Sequence, residues 1–258
     1  MGKKIYLTII WIIALLVIIF SVGIRFCGWF SFGKKSSAEG VTNLAGSSLS
    51  DTITVDEYKN LKVELGFGEV SFAASDDDSF SVQYGSSDED YIPTIGVKGD
   101  TLYISQKDKT FNGFGVHDMK LTVIVYAPAG FEYNNVDIEC GAGDVDVEKL
   151  AAKKLDMDYG AGNVEVRNST IDEIDLDAGA GDVTISGSTF EKLDIDAGAG
   201  DVRISGIGDV DQYDYDLDVG VGDIKLDGNK FHGEYKSSGN AGKEIRVDCG
   251  VGDLEIFQ

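Results

Sequence analysis

Basic charge is scarce in this chain. Its 22 lysines and arginines face 45 aspartates and glutamates, for a formal net charge of −23 and an isoelectric point near 4.2. That balance argues against nucleic-acid binding, because phosphate contacts need clustered Lys and Arg. Cysteine is also rare: Cys27, Cys140 and Cys249 are too few for a disulfide framework. With only His117 and His232, and no G-x-S-x-G, P-loop, H-E-x-x-H or C-x-x-C motif, no familiar catalytic signature is present. Two prolines stand against 33 glycines in a chain that is 43% hydrophobic. This combination fits a glycine-cornered β protein with a core better than disorder. No segment past Phe32 shows a helical period.

The glycines are not scattered. Gly141-Ala142-Gly143-Asp144-Val145 returns at Gly160, with Asn163 in place of the aspartate, and at Gly179 and Gly198, and two looser copies begin at Gly220 and Gly250. The steps are 19, 19, 19, 22 and 30 residues. A fixed period of this length marks stacked units. Around each G-x-G corner the residues alternate apolar and polar, the period of a strand. In the third copy Leu193, Ile195, Ala197, Val202 and Ile204 face inward, and Asp194, Asp196 and Arg203 face outward. Ala199, between the glycines, is read as pointing inward at the bend. A second corner carries one apolar plug, Phe190, with Ile171 and Ala152 in earlier copies. One coil cannot bury its own apolar side, so coils must stack. The pattern predicts an all-β, two-sheet parallel β-solenoid with coils of about 19 residues; an antiparallel sandwich of repetitive hairpins is the alternative.

Stacking aligns carboxylates. Four residues before each corner come Asp137, Asp156, Asp175, Asp194, Asp216 and, in the last copy, Arg246; two residues before come Glu139, Asp158, Asp177, Asp196, Asp218 and Asp248. These form two outward columns with neighbours about 4.8 Å apart, and like charges at that spacing repel by roughly 1 kcal/mol per pair even in water. The following strand is mixed in charge, so the acidity is one-sided. The columns are the candidate binding residues, for a cationic protein, peptide or envelope component. The corner aspartates Asp144, Asp182, Asp201, Asp223 and Asp253 read as acceptors of backbone N–H bonds, with weak divalent-cation binding along the columns rather than a cage, and no cofactor. Cys140 and Cys249 share one inner position, predicted five coils or about 24 Å apart. That is too far for a bridge, which needs about 7 Å, so they read as buried thiols.

Before the repeats, Ile5 to Ile24 is an uncharged run that would span about 30 Å as a helix, one hydrocarbon core. It predicts an N-terminal transmembrane anchor (1–32), with a cleaved signal peptide as the alternative. Cys27 lacks the small preceding residues of a lipoprotein site. Residues 33–50 read as a flexible tether, 51–140 as irregular β coils and 141–258 as the regular stack. Within the irregular part, Leu61–Phe72 is a decayed copy of the repeat, Ile95–Ile104 a hairpin around Lys98-Gly99-Asp100, and Leu121–Pro128 the strand leading into the regular coils. The chain ends on a repeat strand, Asp253–Gln258, which predicts an open stack end available for end-to-end association.

The G-x-G-D-V-x-V/I corners, the Val125-Tyr126-Ala127-Pro128 strand and the decayed early copy resemble those of a family of bacterial cell-surface proteins, the "putative adhesins", long classed as a domain of unknown function. The resemblance covers residues 51–258. It implies a β-solenoid outside the membrane, a role in adhesion or envelope maintenance, and no catalytic residues to carry over. Members are similar to proteins found with envelope-stress regulators. Function therefore reads as non-catalytic extracellular binding or scaffolding. Interception of cationic peptides is one alternative, and a glycan-cleaving β-helix enzyme the other. For the enzyme, a ladder of identical carboxylates on an open face does not supply the distinct acid and base that glycosidic chemistry needs.

Overall fold

The computed structural model describes residues 49–106, 120–238 and 242–258, all within the compact unit Thr42–Gln258. The span Ile5–Ile24, the tether as far as 48, Cys27 and His117 lie outside the described residues. Among the described residues no helix is long and apolar enough to cross a membrane; two single 3₁₀ turns, Glu89–Tyr91 and Val210–Gln212, are the helical content.

The first strands are β1 (Leu49–Val55), β2 (Asn60–Leu65), β3 (Glu69–Ala74), β4 (Phe80–Ser86), β5 (Thr94–Lys98), β6 (Thr101–Ser105) and β7 (Leu121–Ala127). The repeats supply strands in pairs, one on each side of a G-x-G corner: β8 (Glu132–Ala142) and β9 (Val145–Glu148), β10 (Ala151–Ala161) and β11 (Val164–Arg167), β12 (Thr170–Ala180) and β13 (Val183–Ser186), β14 (Lys192–Ala199) and β15 (Val202–Ser205). Then come β16 (Tyr213–Val221), β17 (Ile224–Leu226), β18 (Asn229–Phe231), β19 (Glu234–Ser237), β20 (Lys243–Val251) and β21 (Leu254–Phe257). They form two mixed sheets, ordered β1-β4-β7-β3-β9-β11-β13-β15-β21-β17-β18 and β19-β16-β20-β14-β12-β10-β8-β2-β6-β5. Consecutive copies pair in parallel and in register, Asp156 opposite Asp137 and Asp175, and Val164 opposite Val145 and Val183. The antiparallel hairpin alternative fails for the repeats. Antiparallel pairs occur at the ends of the sheets, among them β1–β4, β5–β6, β16–β19 and β17–β18.

The alternation places the inner residues as the sequence predicts. Leu155, Ile174, Leu193 and Ile245 are neighbours across the second sheet, each wholly buried. Val145, Val164, Val183 and Val202 line the first. Burying each such side chain contributes about 1.5–3 kcal/mol, and one core joins both sheets. The plugs Ala152, Ile171 and Phe190 are buried too. The decayed copy is a true layer: Leu65 pairs with Cys140, and Gly68 has φ 141° against 138° at Gly143. The hairpin around Lys98–Asp100 forms as β5–β6.

Three expectations need correction. First, the layers do not follow chain order. β20 and β21, the last copy, insert between the fourth copy and the fifth. The 22-residue step is the reason. Its three extra residues and the 3₁₀ turn Val210–Gln212 let the chain skip one layer, and the long segment after β17 returns to fill the gap. Second, the final strand is therefore internal, paired on both sides by β15 and β17. The described end of the stack is closed instead by the short antiparallel strands β18 and β19, so an open C-terminal strand cannot be the basis of end-to-end association. Third, the residue between the two corner glycines faces outward. Val221 and Val251, at the position of Ala199, are 66% and 53% exposed. The glycines on either side press against the backbone of the next copy, which turns the residue between them away.

Cys140 and Cys249 are four strands apart, not five, and both are buried and free. Burial pushes the Cys140 thiol up to about 11 and raises Cys249 as well. Because the thiolate is the reactive species, neither is expected to be alkylated by iodoacetamide at neutral pH until the protein is denatured. Mass spectrometry of the native protein checks this, and rapid native labelling would contradict the burial.

Candidate binding face

The outer face of the second sheet carries three rows of side chains, set by the register. The row nearest the second corner alternates in sign, Lys154, Glu173, Lys192, Glu244. The middle row reads Lys62, Asp137, Asp156, Asp175, Asp194, Arg246, Asp216, Lys236. The row nearest the G-x-G corner reads Glu64, Glu139, Asp158, Asp177, Asp196, Asp248, Asp218, Glu234. Seven steps of about 4.8 Å make this last row about 34 Å long.

The two predicted columns are chemically different. In the middle row every carboxylate has a cation. Lys62 Nζ donates to Asp137 at 2.8 Å, and Lys154 Nζ lies 3.0 Å from Asp156 and 3.7 Å from Asp175. Arg246 is 3.3 Å from Asp194, and Lys236 is 3.3 Å from Asp216. Arg246, an oddity as the terminal member of a column, lies between Asp194 and Asp216 once the last copy is inserted there. Asp194 first, then Asp196, holds its guanidinium pKa above the usual value. The hydrogen bond to Asp137 does the same for Lys62.

In the corner row the bases reach only the ends: Lys62 lies 3.1 Å from Glu139, and Lys236 lies 2.7 Å from Glu234. Among the described residues Asp158, Asp177, Asp196, Asp248 and Asp218 form no ion pair, and all five are exposed. Asp177, mid-row, has its pKa raised by partial withdrawal from water and then by the carboxylates of Asp196, Asp175, Asp158 and Asp156. Of the eleven carboxylates in the two columns, six are thus within ion-pair distance of a base of the chain and five are not.

Beyond the corner glycines runs a second polar line, in which the corner aspartates accept backbone N–H bonds as the sequence pattern predicts. Asp144 Oδ1 accepts from the Asn163 N–H at 2.8 Å, Asn163 Oδ1 from Asp182 at 3.1 Å, Asp182 from Asp201 at 3.0 Å, Asp201 from Asp253 at 2.9 Å and Asp253 from Asp223 at 3.0 Å. Each carboxyl or amide therefore caps the next layer rather than its own turn. Recurrence at equal spacing was the available signal. The ladder ends at Asp223, which has no further layer to cap. Lys230 Nζ lies 2.7 Å from it and His232 Nδ1 2.8 Å. The Lys230 hydrogen bond, first among several causes, lowers its carboxyl pKa. His232 is thus an exposed loop residue at the ladder's end.

Between the two acidic lines lies the outward ridge Ala142, Ala161, Ala180, Ala199, Val251, Val221. On the first sheet the outer residues are balanced: Arg167 contacts Asp146 at 2.8 Å and Glu165 at 2.9 Å, and Arg203 lies 3.5 Å from Glu255. Among the described residues no group of three or more His, Cys, Asp or Glu is arranged to hold a metal ion.

No curated protein matches the chain. Among solved structures it is similar to a "putative cell adhesion protein" of Clostridium sporogenes ATCC 15579, at 17% identity over 81% of this chain and 99% of that one, with a TM-score of 0.46. It is also similar to "putative adhesins" of Bacteroides fragilis NCTC 9343 (16% identity, 80% and 95% covered, TM-score 0.38) and Parabacteroides merdae ATCC 43184 (13% identity, 83% and 98% covered, TM-score 0.37). The family model described as Toastrack DUF4097 matches residues 58–256, the repeats and the decayed copy together, and the chain belongs to that family.

Proposed function

We propose that this is a non-catalytic binding or scaffolding protein of the bacterial cell surface, anchored through Ile5–Ile24, whose two-sheet solenoid presents the corner row to a cationic partner. The observation that carries this reading is the contrast between the rows: Asp137, Asp156, Asp175, Asp194 and Asp216 are each paired by a base of the chain itself, whereas Asp158, Asp177, Asp196, Asp248 and Asp218 are left to solvent. Repelling carboxylates about 4.8 Å apart are relieved by an external cation, and a low affinity for divalent ions would follow from the same field. The exposed Val221 and Val251 on the neighbouring ridge favour an amphipathic cation, which supports interception of cationic peptides as the form this binding takes. Catalysis on a glycan is disfavoured because the row repeats one environment.

The test is titration of the full chain in uncharged micelles with a synthetic cationic amphipathic peptide and its anionic counterpart. From about 0.01 M to about 1 M salt the screening length falls from about 30 to about 3 Å, so affinity for the cationic peptide should fall steeply. Any single Asp→Asn change in the row should be tolerated. Salt-insensitive binding, or release of reducing ends from a glycan that one substitution abolishes, would overturn the proposal.

A further inference from the structure

The 30-residue fifth step does more than close the stack. Its strands β18 and β19 pair alongside β17 and β16 as the edges of the two sheets and border a half-open pocket of about 330 Å³, at the small end of the range for small-molecule sites. Its walls include the rings of Tyr213, Tyr215, Phe231 and Tyr235, with Asp211 and Asp227 among the lining residues. The rings form a chain, with centroids 6.3 Å apart from Tyr213 to Tyr215, 6.3 Å from Tyr215 to Tyr235 and 4.3 Å from Tyr235 to Phe231. Tyr213 and Tyr215 are buried, while Phe231 and Tyr235 are half-buried.

We propose that this pocket binds a compact organic cation, an N-alkylated ammonium group. Four observations converge on that class. Aromatic faces attract cations through the ring quadrupole, and four aromatic residues line the pocket. The charged residues of the lining are carboxylates, and among the described residues no lysine, arginine or histidine lines the pocket, so an anion finds no countercharge. Two of the three phenols are already committed as donors: Tyr215 Oη donates to the Val210 carbonyl at 2.8 Å and Tyr213 Oη to that of Ile207 at 3.4 Å. Their oxygens keep acceptor lone pairs, which a cation can use. Finally, the chain places an ammonium of its own over one of these rings, with Lys243 Nζ 5.6 Å from the Tyr213 centroid. The repeat does not require this arrangement, since the earlier copies turn the same corner in 19 residues without such a segment. The site is also separate from the corner row, and its fate does not depend on the reading of that row.

Calorimetric titration of the full chain in uncharged micelles tests this, with choline, its uncharged isostere dimethylbutanol, and glycerophosphocholine as probes. Choline should saturate one site, with the isostere at least about tenfold weaker because it lacks the charge. Asp227 sits at φ 45°, a conformation asparagine adopts readily, so Asp227→Asn should keep the turn and weaken choline binding at least about fivefold. Tyr235→Leu should do the same by removing a ring, and if that variant melts early, Asp211→Asn takes its place. Tighter binding of glycerophosphocholine than of choline assigns the group to a lipid headgroup, and the reverse order to a free solute; either supports the site. Three results would overturn it: no saturable choline heat at millimolar concentration, equal binding of the isostere, or choline binding indifferent to Asp227→Asn and Tyr235→Leu but lost when the corner row is neutralised.

Discussion

Gly181→Ala is expected to lower the unfolding free energy by about 3–5 kcal/mol, the range reserved for lesions inside a packed structure. For a domain of this size that corresponds to a fall in Tm of roughly 10 °C. Gly181 has φ 134°, and a Cβ there would collide with the Gly162 carbonyl oxygen and lie 2.5 Å from its carbon. The obstructing atoms are backbone, not the end of a flexible side chain. Nor can that backbone move aside freely, since Gly162 N–H donates to Ala180 O and Gly181 N–H to Ala199 O, each at 2.9 Å. Relief must therefore push neighbouring layers of the stack apart. Two controls separate this from the loss of a glycine as such. Gly99, in the β5–β6 turn, has φ 67°, and a Cβ added there would meet no atom within 4 Å, so Gly99→Ala should cost only the left-handed strain of about 1–2 kcal/mol. Ala180→Val, one residue away, should be nearly neutral, because valine already occupies the equivalent outward position at Val221 and Val251. Thermal and urea melts followed by circular dichroism decide. A Gly181→Ala variant as mild as Gly99→Ala would mean the layers do not approach as closely as described.

Neutralising the corner row should change binding and stability in opposite directions. In the variant Asp158→Asn, Asp177→Asn, Asp196→Asn, Asp248→Asn, affinity for a cationic peptide at low salt should fall at least about a hundredfold. A single contact at 4 Å is worth about 1 kcal/mol in water, or about fivefold, and four are removed. The protein itself should melt several degrees higher at neutral pH, because adjacent like charges no longer repel. The pH dependence carries a definite sign. The folded pKa of Asp177 is raised, so its ionisation disfavours the fold. Its favourable contribution is complete below the unfolded carboxylate pKa and is lost as pH rises through the folded one. The stability advantage of the variant should accordingly shrink as the pH is lowered into the carboxylate range. The matched change in the middle row, Asp137→Asn, Asp156→Asn, Asp175→Asn, Asp194→Asn, should instead destabilise, because Lys154 and Arg246 lose their ion-pair partners and Lys62 loses Asp137 and keeps only Glu64 and Glu139. If both variants melted alike, the distinction between a paired and an open row would be empty.

Arg246 shows how far the sequence can be read. Its phase in the repeat places it on the outer face in line with Asp194 and Asp216, and it is there. Nothing in that phase says that the last copy lies between those two, so it reads as an exception at a terminus instead of the cation that neutralises the middle of the row. The uneven 22- and 30-residue steps are the visible sign of a skipped layer. Similarly, Ala199 falls at a corner as the glycines require but turns outward, not inward, because the direction of its side chain depends on the neighbouring copy's carbonyls. The cation site bordered by β18 and β19 has only Phe231, Tyr235 and the length of the insertion as a signal.

Side-chain alternation and glycine spacing are local properties of the chain, and they alone determined that this protein is built of short strands with glycine corners, which residues face the core, and that acidic residues fall into rows. Which copy lies beside which was decided only in three dimensions, because parallel strands bond through backbone groups that are the same in every copy and do not encode an order. That order in turn decides which carboxylates meet a lysine or arginine and which are left facing water.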